Sequence, residues 1–424
     1  MTAAGDRRPR RPHARRVTAV LAVAALALGL GGCTGGDEPA DGVVTLELFQ
    51  NKSEAIGVYD ELIAQFEAEN PDIRVEQNNV PDALSVLRSR LVKNDPPEVV
   101  ALNGDQNFRG LAQAGVFRDH TGAPALDGLN PAAVQALRDL TQQDDALAGV
   151  PITLNAQVLL YDADLFEQAG LAVPTTWDEV VTTARAVQDD GGTPFAFTYK
   201  DAWTAQAVWN TITPQTLPEG FWDDLRAGDA TLTDGLTEAA TKMVELLDYA
   251  NADPFGTDYN GGNTAMARGE AYMYLQGIWA IPAIRAVNPD VRLGAAVVQW
   301  ADSAEPAAMV SGIDQVLTTV EGAPHQAEAD RFIAFLTTPE SQQALSDGLA
   351  VFPARPDVEP ADDLLAGLKT HLDEGRITGF PEHQMLAGVD LGGALQTFLY
   401  SRDPRSLGAQ LQAEWDAAYE RESL

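Results

Sequence analysis

The hydrophobic pattern of the chain changes period repeatedly between residues 43 and 103. In "VVTLELF" (43–49) the apolar Val44, Leu46 and Leu48 alternate with Thr45 and Glu47, the period-two signature of a strand. "SEAIGVYDELIAQFEAENPD" follows, where Ile56, Tyr59, Ile63 and Phe66 recur every three or four residues and predict an amphipathic helix. Asn70-Pro71 ends it, because proline disfavours helical geometry in the residue before it. "IRVEQ" (73–77) reads as a second strand, 83–93 as a second helix, and "PEVVALNG" as a buried third strand that opens into a loop. A β-α-β-α-β order implies a parallel sheet with right-handed crossovers.

The pattern returns further along. Thr176-Trp177-Asp178-Glu179 has the form of a capping box ahead of the apolar face Val180, Val181, Ala184 and Val187. "TPFAFTYK", "EAYMYLQG", "VRLGAAVVQW" and "QVLTTV" are strand candidates, and Thr338-Pro339-Glu340 is a well-formed helix start. The fold class expected is α/β, in two lobes rather than one long sheet. The chain crosses between them near Gly149–Asn155 and again near Val310–Asp314. The expected organisation is a first lobe at 43–152, completed by part of 311–355, and a second lobe at 153–310. A C-terminal helical segment at 356–424 carries a ligand loop near 379–384.

Six arginines between Arg7 and Arg16 precede an apolar run from Val17 to Leu30, broken only by Thr18 and Gly29. A basic start, an apolar stretch and small residues at its end read as a secretory signal. The run is shorter than the about 20 residues of a transmembrane helix. Leu30-Gly31-Gly32-Cys33 resembles the bacterial lipobox, which implies a signal peptide at 1–33 and a lipidated Cys33. Cys33 is the only cysteine of the chain, and 34–42 is a polar Gly/Pro/Asp tether with nothing to bury. The protein is therefore expected outside the cell, lipid-anchored on the outer face of the cytoplasmic membrane.

Removing residues 1–33 from the 424 leaves 391, enough for two or three units of roughly 100–200 residues. The removed segment carries six arginines and one aspartate, so the net charge moves from −34 to −39. Such acidity argues against nucleic acid and for membrane contact through the lipid alone. We expect a monomer without cofactor or metal. The histidines after the signal (His120, His325, His371, His383) are scattered, and no nucleophile elbow, zinc-protease motif or Walker loop is present. No catalytic residue is assigned. A lipid-anchored glycoside hydrolase is the rival class, since acids this numerous place some pair together by chance.

Several segments in order resemble the extracellular solute-binding proteins of ABC importers, in the carbohydrate-binding family that includes oligosaccharide and α-galactoside binders. They are "YDELIAQFEAENPDIRVE", "PPEVVALNG", "LAQAGVFRDHT", "GVPITLNAQVLLYDADLFEQAGLAVPTTWDEV", "AMARGEAYMYLQGIWAIPAI" and "ADRFIAFLTTPESQQAL" with "LAVFPARPDV". The resemblance implies two hinged α/β lobes of the periplasmic-binding-protein type that close on a ligand in the cleft. It also implies a carbohydrate ligand and permease subunits as partners.

Sugar sites pair aromatic faces with carboxylates and amides. In α/β lobes these groups lie beyond the carboxyl ends of strands. Two loops of the first lobe fit: one with Asn51 and Lys52 after the first strand, one with Asn103 and Asp105 after the third. Lys52 is either a ligand contact or an exposed charge, and Asp105 either a contact or a helix cap. The resemblance adds Trp279 in a Gly-x-Trp turn, with a core tryptophan as the rival, and Trp203 as a weaker candidate. Gly312 and Asp314 lie in the return crossing, where Asp314 binds a hydroxyl or caps the next turn. Phe380, Glu382 and His383 stand where relatives carry a Phe-Pro-Asp-His ligand segment, with glutamate here in place of aspartate. The rival for that segment is a plain surface loop.

Overall fold

Strand β1 (Val44–Gln50) lies between β2 (Ile73–Asn79) and β3 (Val99–Asn103), parallel to both, with Val44 opposite Ile73 and Leu48 opposite Val99. Helices α1 (Ile56–Glu69) and α2 (Ala83–Val92) make the two crossovers. Helix α1 buries Tyr59, Leu62, Ile63 and Phe66, while Ile56 in its first turn stays exposed. These elements belong to a computed structural model of the chain, which describes residues 42–422 apart from 81, 144, 304–305 and 387. The signal segment, Cys33 and the tether as far as residue 41 lie outside the described residues.

Beyond β3 come α3 (Gln106–Gln113), α4 (Pro131–Thr141) and the long strand β4 (Val150–Asp162). The remaining strands are β5 (Met273–Gly277), β6 (Leu293–Ala296), β7 (Met309–Thr318) and the two-residue β8 (Phe352–Pro353) and β9 (Ile377–Thr378). Hydrogen bonding runs through one sheet in the order β2-β1-β3-β7-β4-β5, with β6 and β8 on β4 and β9 on β7. Two lobes without a shared sheet were expected, and this is a correction. Strands β4 and β7 are long enough to serve both halves, so the ladder never breaks. Strand β7 returns antiparallel between β3 and β4, so the parallel pairing is confined to β2-β1-β3 and to the short β9 alongside β7.

A register slip divides the sheet. Val150 and Ile152 of β4 pack with Leu46, Phe66 and Phe332, whereas Leu154, Ala156 and Val158 pack with Phe108, Tyr274 and Ile281. All five positions are even-numbered, so a regular strand would send them to one face. The β4–β7 pairing shifts on either side of Thr153, and a one-residue shift turns the following side chains over. Strand β7 turns at the same level: Leu317 joins the first cluster, Ile313 and Met309 the second.

The second half carries α5 (Ala163–Ala169), α6 (Trp177–Asp189), α7 (Ala202–Thr216) and α8 (Phe221–Ala227), followed by further helices that include Thr237–Leu246 and Tyr259–Ala267. Thr176 caps α6 as expected, but Glu179 reaches back to the N–H of Thr175 rather than that of Thr176. Residues 193–200 do not form the expected strand. Phe195 alone bridges to Ala250 and Met273, and the Asn251 side chain takes the Phe197 N–H that a ladder would need. Phe195, Phe197 and Tyr199 stack instead, at 5.3 and 5.0 Å. The strand expected over 291–300 stops at Ala296, because Gln299 pairs with Thr175 and Trp177. Helices Leu391–Ser401 and Pro404–Glu422 pack Phe398, Leu411 and Trp415 against Trp209 in the core of this half.

Candidate ligand-binding site

The slip in β4 and β7 is filled by a polar knot. Asp314, 5% exposed, accepts from Lys52 Nζ at 2.6 Å, Thr153 Oγ1 at 2.8 Å and Asn155 Nδ2 at 3.1 Å. Beside it Tyr59 donates to Gln315 Oε1 at 2.5 Å. Burial holds the Tyr59 hydroxyl protonated far above its ordinary range, and the Asp314 charge adds to this. Lys52 is thus neither exposed nor free, and Asp314 caps no turn: it lies mid-strand and accepts from three protein donors. Replacing a buried pair member leaves the other charge uncompensated, so this pair fixes the loop after β1 to the strand that serves both halves.

Around the knot lie amides with spare capacity. Asn51 Oδ1, Asn103 Oδ1 and Asn155 Oδ1 are buried without a protein partner, as is Gln315 Nε2. Most buried polar groups in proteins are paired. Four unpaired ones gather around the ends of β1 and β3 and the middle of β4 and β7.

The segment Phe380–Met385 is held from two directions. Arg109 of α3, itself buried, donates to the carbonyls of His383 at 2.6 Å and Met385 at 2.8 Å, and Gln106 donates to the carbonyl of Glu382. On the other side the Glu382 N–H donates to Asn210 Oδ1 of α7 at 3.4 Å. Phe380 is buried against Gly312, where an added Cβ would fall 2.5 Å from the ring, so only glycine allows this approach. The Phe380 and His383 rings lie 5.3 Å apart. Asp105 caps α3, its Oδ1 accepting from Asn107 and Phe108 at 2.8 and 3.0 Å.

These surroundings shift the charges in opposite directions. Burial raises the Glu382 carboxyl, opposed by its bond to Asn210 and reinforced by the negative charge of Asp105. Burial likewise raises Asp105, against its two backbone bonds. The His383 imidazole is pushed down to about 4 by burial and by the Arg109 charge, so it is neutral at pH 7. A neutral histidine beside a desolvated carboxyl and amide gives donors and acceptors without a fixed counter-ion, suited to a neutral polyhydroxylated ligand.

The two tryptophans stand on the second half. Trp203, 41% exposed at the start of α7, packs on Tyr259 with centroids 4.9 Å apart. Burial raises the Tyr259 hydroxyl, with Asn263 beside it and a small contribution from the charge of Glu54, two residues after Lys52. Trp279, half-buried ahead of the helix Ala280–Val287, lays its ring over Gly277. The sequence candidates are linked to one another through a few shared elements. Asn51, Lys52, Asn103 and Asp314 join Gly312 and Phe380 through β7. The charge of Asp105 is felt at Glu382, whose N–H bonds to Asn210 of α7, the helix that begins beside Trp203. Trp279 follows Ile278, whose N–H bonds to Ala156, next to Asn155.

Sequence reading missed Asn210, Arg109 and Asn155. Arg109 carried a usable signal, since it stands three residues before Ala112 on the apolar side of α3. Asn210 carried none: it lies in a helix whose buried residues run almost continuously from Thr204 to Thr213. Among the described residues no three His, Cys, Asp or Glu gather as a metal site, and no helix is long and apolar enough to cross a membrane.

The family model described as bacterial extracellular solute-binding protein matches residues 61–367. The chain belongs to that family. Its members bind solutes rather than transform them, and the two-lobed α/β fold with a hinge and ligand cleft is theirs. The structure is similar to RafE in complex with raffinose, with TM-score 0.76 and 26% identity, covering 89% of this chain and 100% of that one. The apo-form of RafE from Streptococcus pneumoniae gives the same TM-score and identity over 90% of this chain and 100% of that one. The multiple sugar-binding protein of Streptococcus mutans serotype c is 28% identical over 313 residues, 72% of this chain and 73% of that protein. A lipoprotein from the oleD 5′ region of Streptomyces antibioticus is 26% identical over 361 residues, 78% of this chain and 75% of that protein.

Proposed function

We propose that this solute-binding protein captures a carbohydrate, specifically an oligosaccharide, and delivers it to the permease of an ABC importer, while acylated Cys33 holds it on the outer face of the cytoplasmic membrane. The observation that carries the ligand class is the set of unpaired buried amides. The amide oxygens of Asn51, Asn103 and Asn155 lack partners and the Glu382 carboxyl is desolvated, while exposed Trp203 and half-buried Trp279 offer indole faces. Hydroxyls satisfy the former and the C–H faces of a pyranose cover the latter. The printed names of the relatives, a multiple sugar-binding protein and a raffinose complex, support the same class. The proposed contacts are Asn51, Asn103, Asp105, Trp203, Trp279, Phe380, Glu382 and His383, with Lys52, Asp314 and Gly312 shaping the floor.

Calorimetry of the purified chain against mono- and oligosaccharides tests this. A bound sugar is expected, and Glu382→Ala should weaken it by roughly ten- to a hundredfold, since a hydrogen bond to a charged group is worth about 1.5–3 kcal/mol. If Glu382→Ala and His383→Ala both bind the identified sugar like the parent, the late loop is not a contact.

A further inference from the structure

A cavity of about 420 Å³ opens between the late loop, the end of α7 and α8. It falls inside the roughly 300–1,000 Å³ span of small-molecule sites, and none of the proposed contacts except Phe380 lines it. Its walls are Pro214 of α7, Phe221, Trp222 and Arg226 of α8, and Gln384 of the loop. Trp222 is half-buried, edge-on to Phe221 at 5.2 Å, and Arg226 ties the wall together by donating to Gln384 Oε1 at 2.5 Å. Exposed Glu219 and Asp223 stand at the rim. An indole, a guanidinium, an amide and carboxylates around one hollow are the groups that hold a sugar ring.

Its position relative to Glu382 follows from α7. Asn210, which meets Glu382, and Pro214, which lines the cavity, are four residues apart and share a helix face. The cavity therefore lies one turn, about 5.4 Å, further along α7. Pro214 has no N–H, so it makes no helical bond to the Asn210 carbonyl one turn before it. Phe380 has Gly312 against one part of its ring and the cavity beside it.

We infer that this cavity is an extension subsite for one further hexose unit, so that the ligand is an oligosaccharide of at least three units running from Glu382 along α7 to Trp222. The inference rests on the carbohydrate reading above and adds to it the ligand's length and direction.

The test is calorimetry of the full chain in detergent with two length series. One is melibiose, raffinose and stachyose, and the other maltose, maltotriose and maltotetraose. In the series that binds, the longer sugars should bind about tenfold more tightly than the disaccharide, the scale of one aromatic contact. Trp222→Ala should bring that ratio close to one. Gly379→Leu provides a second variant that does not touch the core. Gly379 lines the cavity, its added Cβ meets nothing within 4 Å, and the side chain should fill the hollow and collapse the ratio likewise. A ratio near one in the parent, or a ratio that persists in both variants, overturns the subsite and leaves the carbohydrate reading standing. No binding of any of the six sugars by the parent overturns the carbohydrate reading and the subsite with it.

Discussion

Arg109→Met is the substitution that separates a held late loop from one that merely lies on the surface. In the native chain the Arg109 side chain is buried, and its two terminal nitrogens bond the carbonyls of His383 and Met385 at 2.6 and 2.8 Å. Methionine fills similar space without donors, so the loss falls on hydrogen bonding rather than on packing. A hydrogen bond to a charged group contributes about 1.5–3 kcal/mol. Two of them, with both carbonyls left unpaired, put the expected destabilisation at about 3 kcal/mol or more. The same change removes the positive charge that helps to hold the His383 imidazole down at about 4, so its pKa should rise toward the ordinary histidine value. Urea denaturation reads the first effect, and an NMR titration of the His383 ring reads the second. Stability within about 0.5 kcal/mol of the parent, the range of ordinary surface substitutions, together with an unmoved His383 titration would refute the clamp.

The pH dependence follows from the same histidine. A group with a depressed folded-state pKa contributes stability above its unfolded value that is lost as pH falls through the folded one. His383 and His120, both pushed down to about 4 by burial, should therefore cost stability progressively between pH 6.5 and 4. His383→Gln should flatten part of that slope in denaturant melts at a series of pH values, and an identical slope contradicts the assignment. Cys33→Ser should leave folding intact and move the chain from the membrane to the soluble fraction; unchanged fractionation removes the lipid anchor from the proposal.

Local pattern was sufficient for the elements whose partners are close in sequence. The alternation in 43–49 and the helix through Phe66 determined β1, α1 and their parallel neighbours, because each buries one face on the next. Asn70-Pro71, Thr176 and Thr338 marked helix ends by chemistry that acts within a turn. The strand-end rule likewise reached Asn51, Asn103 and Asp105. The pattern did not determine where strands stop when side chains replace the ladder, as Asn251 does at Phe197, since that partner is 54 residues away. Nor did it show that β4 and β7 carry one sheet through both halves, because a register slip leaves the apolar count unchanged and moves only the face.

Tertiary structure alone decided how the candidates divide their labour. Lys52 and Asp314, 262 residues apart, became an ion pair that ties the loop after β1 to β7. Asn210 and Arg109 acquired their roles only when α7 and α3 converged on the late loop from opposite sides. The physical reason is common to all of these. Hydrophobic periodicity encodes which face of an element is buried, whereas the pairing of one polar group with another depends on distances that only the folded chain sets.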